Sequence, residues 1–512
     1  MPRFKPIERG MKLIPVDIQE QIQPGTFEHA LCKLIDDELD LSRLRSRIQN
    51  DACGAPAYDP AVLLKIILLA YSRGILSSRK MANACDQVVL FMAVSGDSHP
   101  HFTTIAHFVA TLGDEIARLF QEVLLVCQRM RLIGKELFAI DGVKLPSNAA
   151  KSRSGTRADF ERQAQKMEKA IKAMMKEHRR LDDAGEADAS DRMKQQAARL
   201  KKEATQVREW LSEHPKDRTS AKGAVRLSNR TDNESAKMAT DKGVVQGYTG
   251  VAAVDAAHQV IVAAQAHGSG SEQETLIPIV DASDAHRTRK TVICADSGYH
   301  SEANLQALAE RKVPAFICDK GYRDRDPRYA GREHHTAKPD ALWNKGGKGE
   351  EKPKGLFKPA DFTLASDHSH AICPAGKRLY RSGSNVTVGG YRALAFKGTV
   401  RDCENCPLRS RCLRYPETSR VRQVAFRQEK RRTAPSQTER MKHRIDSETG
   451  RRMIGLRFAT VEPVFGNLRS NKGLNRFTLR GQAKVDGQWK LYCVVHNIEK
   501  LAHHGYGETA RR

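Results

Sequence analysis

Hydrophobic and polar positions follow two different periods along the chain, and the change between them divides it. Residues 60–75 (PAVLLKIILLAYSRGI) are apolar almost all round, as a buried helix is, and Gly74 is placed to end that helix. Ser77 or Ser78 can cap a second helix over 79–94, and Thr103 or Thr104 a long third helix ending near Gly134. From Glu136 the helical period gives way to short apolar runs. LFAIDGVKL (137–145) reads as a buried strand with Asp141 at its exposed end, and VVQGYTGVAAVD (244–255) with QVIVAAQA (259–266) as a hairpin through Asp255 and His258. A helix over 272–281 leads to TVICADSGYHS (291–301), a strand running into a turn at Asp296. A helix over 301–311 and a strand at VPAFIC (313–318) follow. Near the end, Val461, Val464, Phe465 and Leu468 fall at i, i+3, i+4 and i+7, one apolar face of an amphipathic helix.

These elements predict an α/β protein, a mixed sheet covered by helices (136–321 and 438–505), preceded by an all-α region (1–135) and interrupted twice. Residues 158–218, rich in Ala, Lys, Glu, Arg and Gln, read as an inserted helical hairpin turning near 182–188. Residues 322–437 read as a loop-rich insertion whose first part is polar and Gly/Lys-rich. The first three helices allow a helix-turn-helix reading or a plain bundle.

Charge narrows the partner. Lys and Arg number 86 against 61 acids in 512 residues, a net +25, which points to a polyanion, with nucleic acid ahead of a membrane or an acidic protein. With 6% aromatic residues, recognition by base stacking alone is disfavoured. The longest apolar run, 61–71, is interrupted by Lys65 and falls far short of the roughly 20 residues that span a bilayer. MPRFKPIERGMKL has no apolar core of a secretion signal, so the expected compartment is the cytosol, where the 11 cysteines stay thiols or bind metal.

Three acids stand out. Asp141 interrupts an apolar run where an unpaired carboxylate would be costly, and Asp296 sits beside a turn at the carboxyl end of a strand, where α/β folds place their sites. Glu462 lies seven residues before Arg469 on the polar side of the amphipathic helix, with Lys472, Arg476, Arg480 and Lys484 beyond. One acid ahead of a row of bases suits a metal-assisted phosphodiester site; a solvated surface helix is the plainer alternative. Cys373, Cys403, Cys406 and Cys412 put four thiols within forty residues, two at C-x2-C spacing, which suits a structural Zn²⁺. Cys32, Cys53, Cys85, Cys127, Cys294, Cys318 and Cys493 are isolated and expected as small apolar residues. Asn229, Thr231 and Asp232 are expected to cap a turn, with support of the site as the alternative, Tyr299 and His300 to line the cleft or support it, and His496 and Asn497 to pack or cap.

FAIDG, ADSGYHS and VEPVFGNLRSNKGLNRFTLRG, with the closing CVVHNIEKL, resemble the three acidic blocks of DDE transposases encoded by bacterial insertion sequences. The resemblance spans roughly residues 50–505, and the third block with its tail is its most specific part. It implies an RNase H-like catalytic domain behind a DNA-binding helical one. Asp141 matches the first acid of the triad, Asp296 the second and Glu462 the third. Arg469 falls where relatives carry a Lys or Arg that meets DNA phosphate. The broader signature puts a Tyr seven and an Arg four residues before the glutamate; this chain has Gly455 and Phe458 there, with Arg457 in reach of the Arg's role. Relatives also carry similar cysteine blocks.

The implied activity is metal-dependent cleavage and strand transfer at terminal inverted repeats, with target DNA as second substrate. Two Mg²⁺ ions are expected, with Mn²⁺ able to substitute, Asp141 bridging both and Asp296 and Glu462 each completing one. A homodimer on double-stranded DNA in the bacterial cytoplasm, associated with the nucleoid and not with a membrane, is the expected assembly. The alternatives are a non-catalytic DNA-binding protein, a decayed transposase or a regulator, and an RNase H-like nuclease without strand transfer.

Overall fold

The computed structural model describes residues 15, 17–49, 56–185, 187–219, 223–240, 243–329, 355–431 and 434–508. They fall into two compact units, one of residues 1–342 with 444–512 and one of 343–443. Cys53 and the first part of the second insertion lie outside the described residues.

The first unit is built on a mixed six-stranded sheet. Its strands are β1 (Leu137–Pro146), β2 (Ala236–Thr240), β3 (Gly243–Asp255), β4 (Ile261–His267), β5 (Val292–Ala295) and β6 (Ala315–Ile317). The order is β6-β5-β1-β3, and long β3 pairs with β2 along its first half and with β4 along its second. β1 runs antiparallel to β3 but parallel to β5, and β5 parallel to β6. This is the RNase H-like arrangement, α/β as the strand pattern predicts. Asp141 departs from expectation in one respect: it lies mid-strand, opposite Ala252 of β3, because β1 continues five residues past it.

The helices of the first region are α1 (Phe27–Lys33), α2 (Pro60–Ser72), α3 (Ser78–Gln87), α4 (Val89–Ser95), α5 (Phe102–Thr111) and α6 (Glu115–Arg129). α2 is buried nearly throughout, with Asp59 accepting from Ala61 N–H at 2.7 Å as its cap and Pro60 at the first helical position. Two helices expected to be continuous are broken. Val88 adopts an extended backbone between α3 and α4, and Gly113 turns at φ +55° between α5 and α6. His101, rather than Thr103 or Thr104, precedes α5 and caps it.

The inserted hairpin is present as α7 (Arg157–Asp183) and α8 (Ala187–Glu213), closed at its base by Phe160, Ala164, Val207, Trp210 and Leu211. α9 (Leu276–Ala282) and α10 (Glu302–Glu310) flank β5 in the chain; α11 (Glu448–Gly466) and α12 (Gln482–His503) close the unit. α12 is its hub, packing against β3 and β4 on one side and α1, α2 and α6 on the other. Trp489 lies over Gly250 and donates to Val251 O at 3.0 Å; Tyr492 stacks on Tyr71 with centroids 4.5 Å apart. Asn497 both donates to and accepts from the Ile261 backbone at 2.9 Å, so His496 and Asn497 are packing and pinning groups. The helical region therefore shares one compact unit with the sheet. Among the described residues no helix is long and apolar enough to cross a membrane.

The second unit carries a five-stranded antiparallel meander: β7 (Thr363–Leu364), β8 (His370–Ile372), β9 (Arg378–Val388), β10 (Tyr391–Lys397) and β11 (Gln423–Arg431). Its core is small: Phe362, Ala371, Leu379, Leu394, Phe396 and Val424.

Candidate active site

Register brings the first two acids together. Ile140 of β1 pairs in parallel with Ala295 of β5, so the next residue on each strand, Asp141 and Asp296, emerges at the same level on neighbouring strands. Gly142 N–H donates to Asp141 Oδ1 at 2.8 Å, and Gly298 N–H to Asp296 Oδ1 at 2.9 Å, fixing both carboxyls. α11 crosses β1 and β5. Its apolar face is the expected one, with Val461, Val464, Phe465 and Leu468 beyond its end all buried, and its other side leaves Glu462 exposed.

Burial pushes the Asp141 carboxyl up to about 6, against the pull of the Arg457 guanidinium and with a further push from Asp296. Gly142 N–H lowers it again, and Glu462 raises it. Arg457 is 2% exposed, holds Asp141 Oδ2 at 3.0 Å and donates through Nε to Ile140 O at 3.3 Å. Among the described residues, no three His, Cys, Asp or Glu side chains are already placed around the position of a single ion.

The row of bases divides. Arg469 and Lys484 are exposed, and Arg476 and Arg480 are exposed while donating to Ser147 O and Asn148 O. Lys472 corrects the expectation of a DNA contact: it is 1% exposed, ion-paired with Glu499 and turned inward. The cause is the end of α11. The helix stops at Gly466, and a wider turn over Asn467–Asn471 rotates the following residues, so Lys472 does not continue the polar face. The turn at Asn229 behaves as a cap: its side chain accepts from Thr231 N and Asp232 N and donates to Ala150 O at 2.8 Å. Asp232 in turn accepts from Gly481 N at the start of α12.

Sequence reasoning missed two residues at the mouth of this cleft, Lys144 and Glu272, ion-paired at 3.0 Å. Neither sits in a recognisable motif; only the sheet register and the turn before α9 bring them together.

Three stretches match known protein families. Residues 16–111 match a transposase domain (DUF772), residues 211–349 a transposase DDE domain, and residues 372–502 a second transposase DDE domain. The chain belongs to the DDE transposases. In this transposase the matched stretches contain Asp296 and Glu462, while β1 with Asp141 falls between them. No curated protein and no solved structure matches the chain.

Proposed function

We propose that this transposase binds the ends of its own insertion sequence and carries out cleavage and strand transfer with Asp141, Asp296 and Glu462 as the catalytic acids. The observation that carries the reading is the parallel register of β1 and β5, which brings Asp141 and Asp296 to one level, with α11 and its Glu462 crossing both strands. An all-oxygen, like-charged donor set on two interior strands of the sheet fits Mg²⁺ or Mn²⁺. Divalent ions bound there would activate the attacking oxygen and stabilise the leaving one. Arg457 balances Asp141 from within the protein, and the exposed Arg469, Arg476, Arg480 and Lys484 offer phosphate contacts. Paired ends favour a homodimer on DNA, and a cytoplasmic, nucleoid-associated location follows from that substrate.

Asp296→Ala and Glu462→Gln are expected to lose end cleavage by about three orders of magnitude or more while retaining end binding in a gel-shift assay. Wild-type protein that binds but never cleaves terminal repeats leaves a non-catalytic DNA-binding protein; cleavage without joined product leaves a nuclease.

For the second unit we propose a structural Zn²⁺ held by Cys373, Cys403, Cys406 and Cys412. All four line one cavity of about 30 Å³, and none is in a disulfide. The Cys373 sulfur accepts from Lys377 N–H at 3.3 Å in a turn closed by Gly376 at φ +73°, a geometry that presents the sulfur inward. Burial and then its neighbours, Cys403, Cys373 and Cys406 among them, act on the Cys412 thiol, whose net shift is upward. A core of six residues gains from such a staple. Purified protein is expected to carry one zinc by elemental analysis, and Cys403→Ser with Cys406→Ser to lose it; metal-free thiols that titrate fully in protein with unchanged melting would refute it.

A further inference from the structure

The glycines beside the first two acids are both filled in space by another residue. A Cβ on Gly142 would lie 3.0 Å from the Tyr299 hydroxyl. A Cβ on Gly298 would lie 1.7 Å from Glu272 Oε2 and 3.1 Å from Asp296 Oδ1, so these two carboxylates face one another across the space of a single methyl group. A side chain at 298 would have to displace the Glu272 carboxylate from that volume.

The position of Glu272 is fixed independently of its charge. Buried Asn304, on α10, donates to Gln273 O at 2.8 Å and to Tyr299 O at 2.9 Å, and Gln273 donates to His300 O at 3.2 Å. These bonds tie the turn carrying Glu272 to the loop carrying Asp296. The Glu272 carboxylate is not buried away: its side chain is 23% exposed, and its near partner is Lys144 of β1, three residues past Asp141.

A second observation points to a ligand. Tyr299 is fully buried, yet its hydroxyl has no hydrogen-bond partner. Burial, then the carboxylates of Asp141, Glu272 and Asp296, keep the phenol protonated well above its usual range. A buried O–H donor beside Gly142 that has no partner needs an oxygen acceptor, which a coordinated water or a substrate phosphate oxygen would supply.

We propose that Glu272 is a fourth carboxylate of the cation site, acting with Asp296, and that Lys144 is its counter-charge until a divalent cation takes that place. The proposal rests on the DDE reading above. Sequence gives no hint of it, because Glu272 lies in an unremarkable polar turn 24 residues before Asp296.

The test is Mn²⁺ binding to the full-length, DNA-free protein, read from the resonance signal of free Mn²⁺. Glu272→Gln is expected to weaken binding by about 10-fold or more, the scale seen when a supporting group of a metal site is lost, with melting unchanged. Lys144→Met, which removes the competing ammonium, is expected to tighten it. Glu272→Gln binding Mn²⁺ like wild type, or Lys144→Met binding it no better, overturns the proposal. Should Glu272→Gln fail to fold, Lys144→Met decides alone. Asp296→Asn separates the two readings: if it loses binding and cleavage while Glu272→Gln keeps both, only the fourth carboxylate falls, whereas an Asp296→Asn variant that still binds and cleaves removes the DDE assignment itself.

Discussion

Asp141 and Arg457 form an ion pair inside the candidate site. The folded protein holds the Asp141 proton up to about pH 6, whereas an unfolded chain releases it near pH 4. Between those values the folded state binds more protons than the unfolded one. The stability contributed by this group in metal-free protein is therefore full below about pH 4 and lost as pH rises through about 6, an effect on the order of 2 kcal/mol. Calorimetry of metal-free protein is expected to show that decline, and Asp141→Asn to flatten it, whatever the change in absolute melting when Arg457 loses its carboxylate. Metal affinity should fall in the same window on acidification, because proton and cation compete for one oxygen. At this scale the sequence singles out residues that a motif surrounds: Asp141, Asp296 and Glu462 each sit in a patterned block. Lys472 was misread because its partner, Glu499, lies 27 residues on, and Glu272 was invisible because its significance depends on the vacant side of Gly298.

Among the elements, α12 does the most to hold the first unit together. Its one tryptophan fills the gap left by Gly250 and is 0% exposed, so Trp489→Ala is expected to cost about 3–5 kcal/mol, read by denaturant unfolding with DNA absent. A loss below about 1 kcal/mol would mean that the sheet and helices close without it. The strands were legible from the short apolar runs and the inserted hairpin from its composition, whereas the strand order was not. Helix ends were less legible. The apolar period runs straight through Val88, whose backbone is extended, and past Gly113, whose left-handed turn ends α5 and is a local signal that the period overrides. Similarly, the seven-residue step from Glu462 to Arg469 suggests two plain helical turns, but the wider turn after Gly466 intervenes.

For the molecule as a whole, the excess of +25 sets the expected terms of DNA binding. Each base that neutralises a phosphate contributes about 0.9 to the slope of log affinity against log salt. Arg469→Gln and Lys484→Gln are expected to lower that slope by about one each, and Lys472→Gln to leave it unchanged while lowering the melting temperature through Glu499. Equal slopes for all three variants would return Lys472 to the interface. Net charge announced a polyanionic partner from composition alone, but not which bases face outward, since that depends on the end of one helix.

The placing of α12 has a further consequence for how the protein comes into being. This wedge between sheet and helices follows every other element of the first unit in chain order. During synthesis the strands and the leading helices must wait, their apolar faces uncovered, until residues 482–503 emerge to join them. A product stopped short of that helix would still display most of the positive charge but would leave the sheet and helix faces that α12 covers open to solvent.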